Sequence, residues 1–362
     1  MRRVSRLAAA FLLALVVAGC AAPSPARLHF GVEDAPEGKR LMWPPEPEVP
    51  RYLYAGTLVG ESNFRREKTA EESVGGFLRW FAGVLAGDAP PRELQRPQSG
   101  AVGDDGRVYV TDISRQGVFV FDPANGRLDI WEKAEGLASF ASPVAIAIDA
   151  DGSAFVTDAD LAIVARIAPD GTPGRALGRG QLRRPTGLAI DRARGELFVS
   201  DTYAHDIKVF DRAGKLLRTL GRRGEDPGEF NFPTHLAHAD GRLYVTDTMN
   251  SRVQVLEGAT GRSVSVFGSR GLYVGNLVRP KGVAVDSERN VYVVESYHDH
   301  LLVFDREGRF LMSIGGLGAT TGRFYLPAGV WTDRRDRVFV ADMFNGRVVL
   351  FQLLGGGADG EQ

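Results

Sequence analysis

Residues 243–256 read Leu-Tyr-Val-Thr-Asp-Thr-Met-Asn-Ser-Arg-Val-Gln-Val-Leu, and this stretch decides the fold. An apolar run ends at Asp247, a short polar connection follows, and a second apolar run begins at Val253. Short runs rich in Val, Tyr and Leu, bounded by Asp, Asn and Ser, are typical of β-strands joined by a tight connection. The stretch therefore predicts two neighbouring strands, with an acidic residue at the end of the first.

This pattern recurs along the chain, and each copy contains an apolar strand that ends in an acidic residue. The six acidic residues are Asp112, Asp158, Asp201, Asp247, Glu295 and Asp342. They follow one another at intervals of 43 to 48 residues, and about 45 residues is the length of a four-stranded propeller blade. A strand beginning with Pro precedes each acidic strand, as at 185–191, and two more strands follow it, as at 207–211 and 216–221. The sequence therefore predicts an all-β protein of six blades.

Two motifs carry a family resemblance. Residues 280–286 read Pro-Lys-Gly-Val-Ala-Val-Asp, and residues 243–255 fit the pattern Val-Tyr-Val-x-Asp-Thr-x-Asn-x-Arg-Val-x-Val closely. The last copy, with Asp342, Asn345 and Arg347 in register, fits nearly as well. These motifs resemble the NHL repeat, and the resemblance covers residues 97–354. It implies a six-bladed β-propeller.

The ends of the repeat array predict how the ring closes. The sixth copy ends near Leu354 without a fourth strand, and the Gly-rich residues 355–362 have the composition of a flexible tail. Residues 53–60 have the fourth-strand pattern, with apolar residues followed by Thr-Leu-Val-Gly. We therefore expect an N-terminal strand to complete the last blade within a propeller of residues 51–354, because closure protects the sheet edges.

One segment interrupts the strand pattern. Residues 73–86 place apolar side chains at helical spacing, which predicts a short helical insertion with one apolar face. These side chains are Val74, Phe77, Leu78, Phe81, Val84 and Leu85. Two interpretations are open: the helix packs on the propeller, or its apolar face meets a partner or a membrane.

The N-terminus predicts export and lipidation. A basic start is followed by an 11-residue apolar run at 7–17 and then by small residues before Cys20, the one cysteine of the chain. This order is typical of a signal peptide, and the segment resembles a lipobox, which implies diacylglyceryl and palmitate chains on Cys20 as a membrane anchor. The competing interpretation is an ordinary secretory signal with a chance cysteine. Residues 1–20 are thus expected to be the signal peptide, and the Pro-rich residues 21–50 a tether.

The signal segment and Cys20 together predict a lipid-anchored protein of the cell envelope, facing the periplasm or the cell surface. Ala21 after the cysteine favours the outer membrane in a cell with two membranes. The net charge is −1, from 44 Lys and Arg against 45 Asp and Glu, which gives no electrostatic basis for binding nucleic acid. A single cysteine also excludes an intramolecular disulfide.

The predicted topology places histidines on one face of the propeller. The connection after each acidic residue lies on the same face as the Pro-x-Gly segment, and His205, His235, His298 and His300 fall there. In the fifth copy Glu295 replaces Asp, and Glu caps a turn poorly, which suggests a role in ligand binding. Glu295, with His205, His298 and His300, is a candidate ligand of a divalent metal, since imidazole and carboxylate suit Zn, Fe or Mn. The alternative is that they are surface histidines in variable loops.

The site motifs of enzymes built on similar propellers can be compared with this chain to test whether it carries such a catalytic site. Peptide-amidating lyases resemble this repeat but carry zinc-binding His directly after the repeat Pro in three blades. The corresponding residues here are Val144, Thr186, Thr234, Lys281 and Ala328. His235 lies one position later, and the motifs of gluconolactonase-like and strictosidine-synthase-like propellers do not map onto this chain.

The leading hypothesis is therefore a non-enzymatic propeller that binds an envelope protein or polysaccharide through this face, without a cofactor. A metal-dependent hydrolase or lyase is the alternative, and a structural part of a larger envelope complex is a third possibility.

Overall fold

The structure is a computed structural model that describes residues 26–30, 40–65 and 90–355. The described chain is all-β, and its sheets form a six-bladed β-propeller in which each blade is a meander of antiparallel strands. This confirms the predicted fold class and the number of blades. The helix predicted at 73–86, Cys20, the signal segment 1–20 and most of the tail lie outside the described residues.

The strands follow the repeat pattern blade by blade. Blade 1 contains Pro97–Val102, Val108–Asp112, Gly117–Asp122 and Arg127–Trp131. Blade 2 contains Pro143–Ile148, Ala154–Asp158 and Ile163–Ile167, and blade 3 contains Pro185–Asp191, Glu196–Asp201, Asp206–Asp211 and Leu216–Leu220. Blade 4 contains Pro233–Ala239, Arg242–Asp247, Arg252–Glu257 and Ser263–Phe267. Blade 5 contains Pro280–Val285, Val291–Glu295, His300–Phe304 and Phe310–Gly315. Blade 6 contains Val330–Thr332, Arg337–Asp342, Arg347–Leu353, Tyr52–Leu58 and Met42–Trp43.

Short elements complete this list. Three 3-10 turns lie at Glu61–Asn63, Thr248–Asn250 and Met343–Asn345, and a two-stranded ribbon joins Lys133–Glu135 to Ala138–Ser139. Blade 2 lacks a regular fourth strand, which is reduced to two isolated bridges, Val164 to Leu177 and Ile167 to Pro173. Pro173 has no N–H to donate to a ladder, so a regular strand is interrupted there.

The core lies between the blades. All five residues of Val108–Asp112, of Ala154–Asp158 and of Val291–Glu295 are buried, because each second strand is covered by the neighbouring blade on both faces. This double burial explains why these strands read as continuous apolar runs rather than as alternating patterns.

The glycine of Pro-x-Gly reflects close approach of neighbouring blades near the axis. An ideal Cβ at Gly282 would lie 2.5 Å from the backbone N of Val330 in the next blade. One at Gly187 would lie 2.2 Å from the carbonyl O of Thr234. The inner strands therefore pack backbone against backbone, and a side chain at this position would push the blades apart.

The closing strand lies where the sequence predicts. Tyr52–Leu58 pairs antiparallel with Arg347–Leu353 as the fourth strand of blade 6. Tyr52, Tyr54 and Leu58 are 3%, 6% and 0% exposed. The N- and C-terminal parts of the described chain are thus joined within one sheet.

Part of the Pro-rich segment predicted as a tether over 21–50 packs on the propeller, at residues 27–30 and 41–43. Arg27–Leu28 pairs with Phe64–Arg65, and Met42–Trp43 adds a fifth strand to blade 6. The Trp43 ring meets the Phe351 ring edge-on at 5.3 Å. Apolar residues among the prolines therefore anchor this segment on the propeller, which the Pro-rich composition alone did not reveal.

Candidate functional site

The propeller has two faces with different connections. The loop face carries the connections after the acidic residue of each second strand and those that lead into the Pro of each first strand. The turn face carries the tight turns between the first and second strands. The loop face is the one on which the sequence places the candidate histidines.

The acidic residues at the ends of the second strands stabilise the loops of the loop face by accepting hydrogen bonds from their backbone N–H groups. Asp112 accepts hydrogen bonds from the backbone N–H groups of Gln95 and Arg96 and from those of Ser114 and Arg115. The carboxylate thus joins the connection that enters a blade to the loop after the second strand. Such fixed loops form a preorganised surface.

Glu295 has the same structural role, which corrects the prediction that its side chain serves a ligand. It is 1% exposed and accepts hydrogen bonds from the backbone N–H groups of Val278, Arg279 and Tyr297. The longer side chain reaches the same backbone groups that Asp reaches in the other blades. Its oxygens are therefore used within the fold.

Exposed apolar side chains recur on the loop face in four of the six blades, and we call this set the apolar ring. They occupy the second position after the acidic residue in four consecutive blades: Tyr203, Met249, Tyr297 and Phe344, which are 53%, 57%, 60% and 43% exposed. Tyr325, 45% exposed, extends this apolar ring, because its side chain lies 5.3 Å from that of Phe344. Exposed apolar groups that recur at one position of neighbouring blades mark an interaction surface.

Arginines lie beside the apolar ring. Arg184 stacks over Tyr203 at 5.3 Å, and Arg96 stacks over Phe344 at 5.1 Å. Both residues directly precede a repeat Pro, and Arg279 occupies the same position in blade 5. The loop face thus combines aromatic and guanidinium groups, which are the groups enriched in the energetic centres of protein interfaces.

Hydroxyl groups tie neighbouring blades together nearer the axis. The Thr202 hydroxyl donates to the carbonyl of Pro233 at 2.8 Å, and the Thr248 hydroxyl donates to the carbonyl of Pro280 at 2.8 Å. Thr186 and Thr202 are joined through their hydroxyls at 2.6 Å. The first two bonds cross from one blade to the next, and the third joins two strands of blade 3 beside that boundary.

Two of the candidate histidines, His205 and His298, contact neighbouring side chains or backbone groups of the propeller. His205 accepts a hydrogen bond from the backbone N–H of Phe232 through Nδ1 at 3.2 Å, and its ring meets the Phe232 ring at 4.4 Å. Burial lowers the pKa of His205. The imidazole of His298 lies 5.0 Å from the phenol ring of Tyr297, measured between centroids. Tyr297 is one of the residues of the apolar ring.

His300 pairs with Glu295 in the sheet of blade 5 and is half-buried, and burial lowers its pKa. No group of three His, Cys, Asp or Glu side chains within the described residues could hold a metal ion. His205, His298 and His300 therefore form no ligand set in that part of the chain. The described part of the chain therefore gives no support to the interpretation of the protein as a metal-dependent hydrolase or lyase.

His235 differs from the other three. It is 9% exposed, and in the described structure neither ring nitrogen has a hydrogen-bond partner. Burial, and then the charge of Lys281, lowers its pKa to about 3. The imidazole is therefore neutral at pH 7.

A channel runs along the axis of the propeller between the first strands of the blades. This channel of about 350 Å³ is lined by the first strands of all six blades, mostly by small and aliphatic side chains. On the turn face it meets a cavity of about 1010 Å³. Across this cavity Asp104 of blade 1 pairs with Arg192 of blade 3 at 3.0 Å and with Arg334 of blade 6 at 3.1 Å.

The apolar ring was missed by sequence reasoning that looked for titratable groups. A signal was present: the residue two positions after each repeat acid is Tyr, Met, Tyr and Phe in the last four copies. Large apolar residues in loop positions that need none for packing are the informative observation.

Comparisons with known proteins agree with the fold. Residues 182–210 match the NHL repeat, and residues 277–361 match a family described as a 6-bladed beta-propeller. Peptidyl-glycine alpha-amidating monooxygenase A of Xenopus laevis is 32% identical over 168 residues, which are 42% of this chain and 18% of that protein. The chain spans less than a fifth of the length of the curated relatives it matches.

Solved structures show the same architecture at low sequence identity. A gluconolactonase from Xanthomonas campestris superimposes with a TM-score of 0.56 at 16% identity, over 85% of this chain and 99% of that one. An auxiliary nutrient binding protein from Bacteroides thetaiotaomicron gives a TM-score of 0.54 at 13% identity, over 72% of this chain and 69% of that one. With the sequence matches and the six blades together, the chain is a six-bladed β-propeller that contains an NHL repeat at residues 182–210.

Proposed function

We propose that this chain is a non-enzymatic binding propeller of the cell envelope, anchored through lipid on Cys20, and that its loop face binds a partner protein. The observation that carries the proposal is the ring of exposed apolar side chains at one position of four consecutive blades. The structural similarity to auxiliary nutrient binding proteins supports a binding role for this architecture.

The chemistry of the loop face favours a protein over a polysaccharide. Tyr203 and Phe344 each carry a stacked arginine, and Met249 adds a flexible apolar contact between the tyrosines of blades 3 and 5. Aromatic residues, Met and Arg are enriched in protein interfaces. A polysaccharide partner would instead rely on hydrogen bonds from the surrounding polar side chains, and it is an outcome that the test below distinguishes.

Membrane attachment is the second part of the proposal, and the signal segment with Cys20 supports it. In the part of the chain that the structure describes, no helix is long and apolar enough to cross a membrane. Two or more acyl chains bind a bilayer stably. In a cell with two membranes, the lipid anchor would lie in the outer membrane, and the propeller would face the periplasm or the cell surface.

Changing Cys20 to Ser is expected to abolish palmitate incorporation and to move the chain from the membrane fraction to the soluble fraction. The reason is that the thiol is the acceptor for the lipid. Metabolic labelling with a palmitate analogue and fractionation of cells measure both effects. Equal labelling or unchanged membrane recovery of C20S would contradict lipid attachment at this residue.

The loop face is tested by a paired substitution, Tyr203→Ser with Tyr297→Ser. Loss of two exposed aromatic side chains at an interface is expected to weaken partner binding by about 2–4 kcal/mol in total, a factor of 30 or more. The measurement is the fraction of the chain recovered in a complex of defined mass after mild cross-linking of intact cells, followed by identification of the partner.

The matched control is Leu217→Ser with Leu311→Ser. These exposed residues lie on the fourth strands of the same two blades, away from the loop face. The control should bind as the unchanged protein does. A complex that survives the tyrosine substitutions but is lost with the leucine substitutions would move the interface to the blade edges, and a glycan in place of a protein would refute the partner class.

A further inference from the structure

Residues 26–30 enter the propeller from its turn face. The tight turns between third and fourth strands share this face with those between first and second strands, because the strands of each blade alternate in direction. Gly126 lies in such a turn of blade 1, and an ideal Cβ at this glycine would overlap the carbonyl group of Ala26. Arg27 and Leu28 line the cavity of about 1010 Å³ on the same face.

Hydrogen bonds hold this segment to the residues that close the ring. Asn63 is 6% exposed, and its Nδ2 donates to the carbonyl of His29 at 2.7 Å and to the carbonyl of Thr57 at 2.9 Å. The backbone N–H of His29 donates to the carbonyl of Asn63 at 2.8 Å, and that of Thr57 donates to the carbonyl of Phe30 at 2.5 Å. A buried amide with its donors used in this way fixes the segment in one position.

Apolar contacts add to these bonds. Leu28 and Phe30 pack against the core cluster that contains Phe121 and Trp331. The guanidinium group of Arg337, at the start of the second strand of blade 6, lies over the Phe30 ring at 5.7 Å from its centroid. The segment is therefore part of the folded body, and the tether proper ends where it begins.

This docking leaves a short connection between the anchor and the propeller. Cys20 and Ala26 are six residues apart, and six residues reach at most about 20–22 Å when fully extended. A strand of five to six residues is about 17–20 Å long, which sets the height of a blade. With the loop face on the bilayer, the connection would have to cover that height, the loops beyond it and the way around the rim. Its reach is too small for that.

We infer that the turn face is held towards the lipid bilayer and that the loop face points away from it. This orientation rests on the proposed function, because it requires the lipid on Cys20. The partner of the apolar ring then approaches from the aqueous side, and the cavity of the turn face opens towards the lipid headgroups. The interaction surface is thus presented by the same segment that anchors the chain.

Energy transfer from a dye on the lipidated full chain to a headgroup dye in phosphatidylethanolamine–phosphatidylglycerol vesicles tests this orientation. Lipid occupies the thiol of Cys20, so one introduced cysteine takes the donor dye. Ala213→Cys places it in a turn-face turn of blade 3, and Gln181→Cys places it in the loop-face connection that leads into the same blade; both residues are exposed. The donor at 213 is expected to lie about 17–20 Å closer to the headgroups and to transfer more energy.

Equal transfer from the two positions would mean that the propeller stands on its rim, and stronger transfer from 181 would place the loop face on the bilayer. Either result overturns the inferred orientation while the anchor stands. A chain that carries no lipid and does not bind the vesicles would instead refute the anchor, and the orientation with it. The apolar ring is tested separately by the tyrosine substitutions.

A longer connection provides the matched control. A linker of about 20 Gly and Ser residues inserted after Pro25 adds a flexible reach of about 22–27 Å. It is expected to remove most of the difference in transfer between positions 213 and 181, because the propeller can then turn over. A difference that persists at full size with the linker would overturn the short connection as the cause of the orientation.

Discussion

A chain that begins at residue 60 is expected to lose its cooperative fold. The missing strand, Tyr52–Leu58, supplies three buried side chains to blade 6 and a ladder of backbone hydrogen bonds to Arg347–Leu353. Burial of a large apolar side chain contributes about 1.5–3 kcal/mol, so the three together contribute about 5–9 kcal/mol. That is comparable with the whole stability of an ordinary domain, about 5–15 kcal/mol.

Urea unfolding monitored by tryptophan fluorescence measures this effect. A chain that begins at residue 26 keeps the strand and serves as the control, which should unfold in one sharp transition. The shorter chain should show no such transition or should aggregate through the exposed edge of Arg347–Leu353. A stable monomer beginning at residue 60, with the same midpoint as the control, would refute ring closure by the N-terminal strand.

Asp247→Ala is expected to have the second largest effect, about 3–5 kcal/mol of lost stability. The Asp247 carboxylate is fully buried and accepts hydrogen bonds from the backbone N–H of Asn231 at 2.6 Å and from Nε of Arg252 at 2.8 Å. It also accepts from Asn250 at 2.8 Å. Removing it leaves a guanidinium group that is only 13% exposed without its counter-ion, and the loop after the strand loses its support.

The free energy of unfolding in urea measures this loss. Asp129→Ala is the matched control, because Asp129 pairs with Arg127 on the surface, at 3.0 Å with both side chains well exposed. An exposed pair of this kind contributes about 0–1 kcal/mol. Equal effects of the two substitutions would mean that the repeat acid is not a structural support of the loop face.

The blades and their closure could be predicted because the sequence signals are local and repeated. Each Pro-led strand, acidic strand and turn can be recognised within a few residues, and six copies at nearly constant spacing support one another. Residues 53–60 could be assigned to the open blade because the sixth copy lacked one strand of known pattern. The same regularity predicted the face on which His205, His235 and His298 lie.

The remaining features depend on contacts between distant segments. Glu295 was expected to serve a ligand, but its extra methylene reaches the same backbone N–H groups as an Asp, which only the packed blade shows. Trp43 and Phe30 lie in a Pro-rich segment whose docking depends on the folded blade 6. The lack of partners for the ring nitrogens of His235 in the described structure is likewise a property of the assembled blades and has no local sequence pattern.

Site-specific photo-cross-linking in living cells tests the central claim, that the loop face binds a partner. A photoreactive residue would replace Met249 on the loop face or, as the control, Val264 on the fourth strand of the same blade; both side chains are exposed. The proposed function predicts a discrete adduct of one partner protein from position 249 and none from position 264. Adducts from position 264 alone, or from neither position in cells that carry out the protein's normal role, would contradict it.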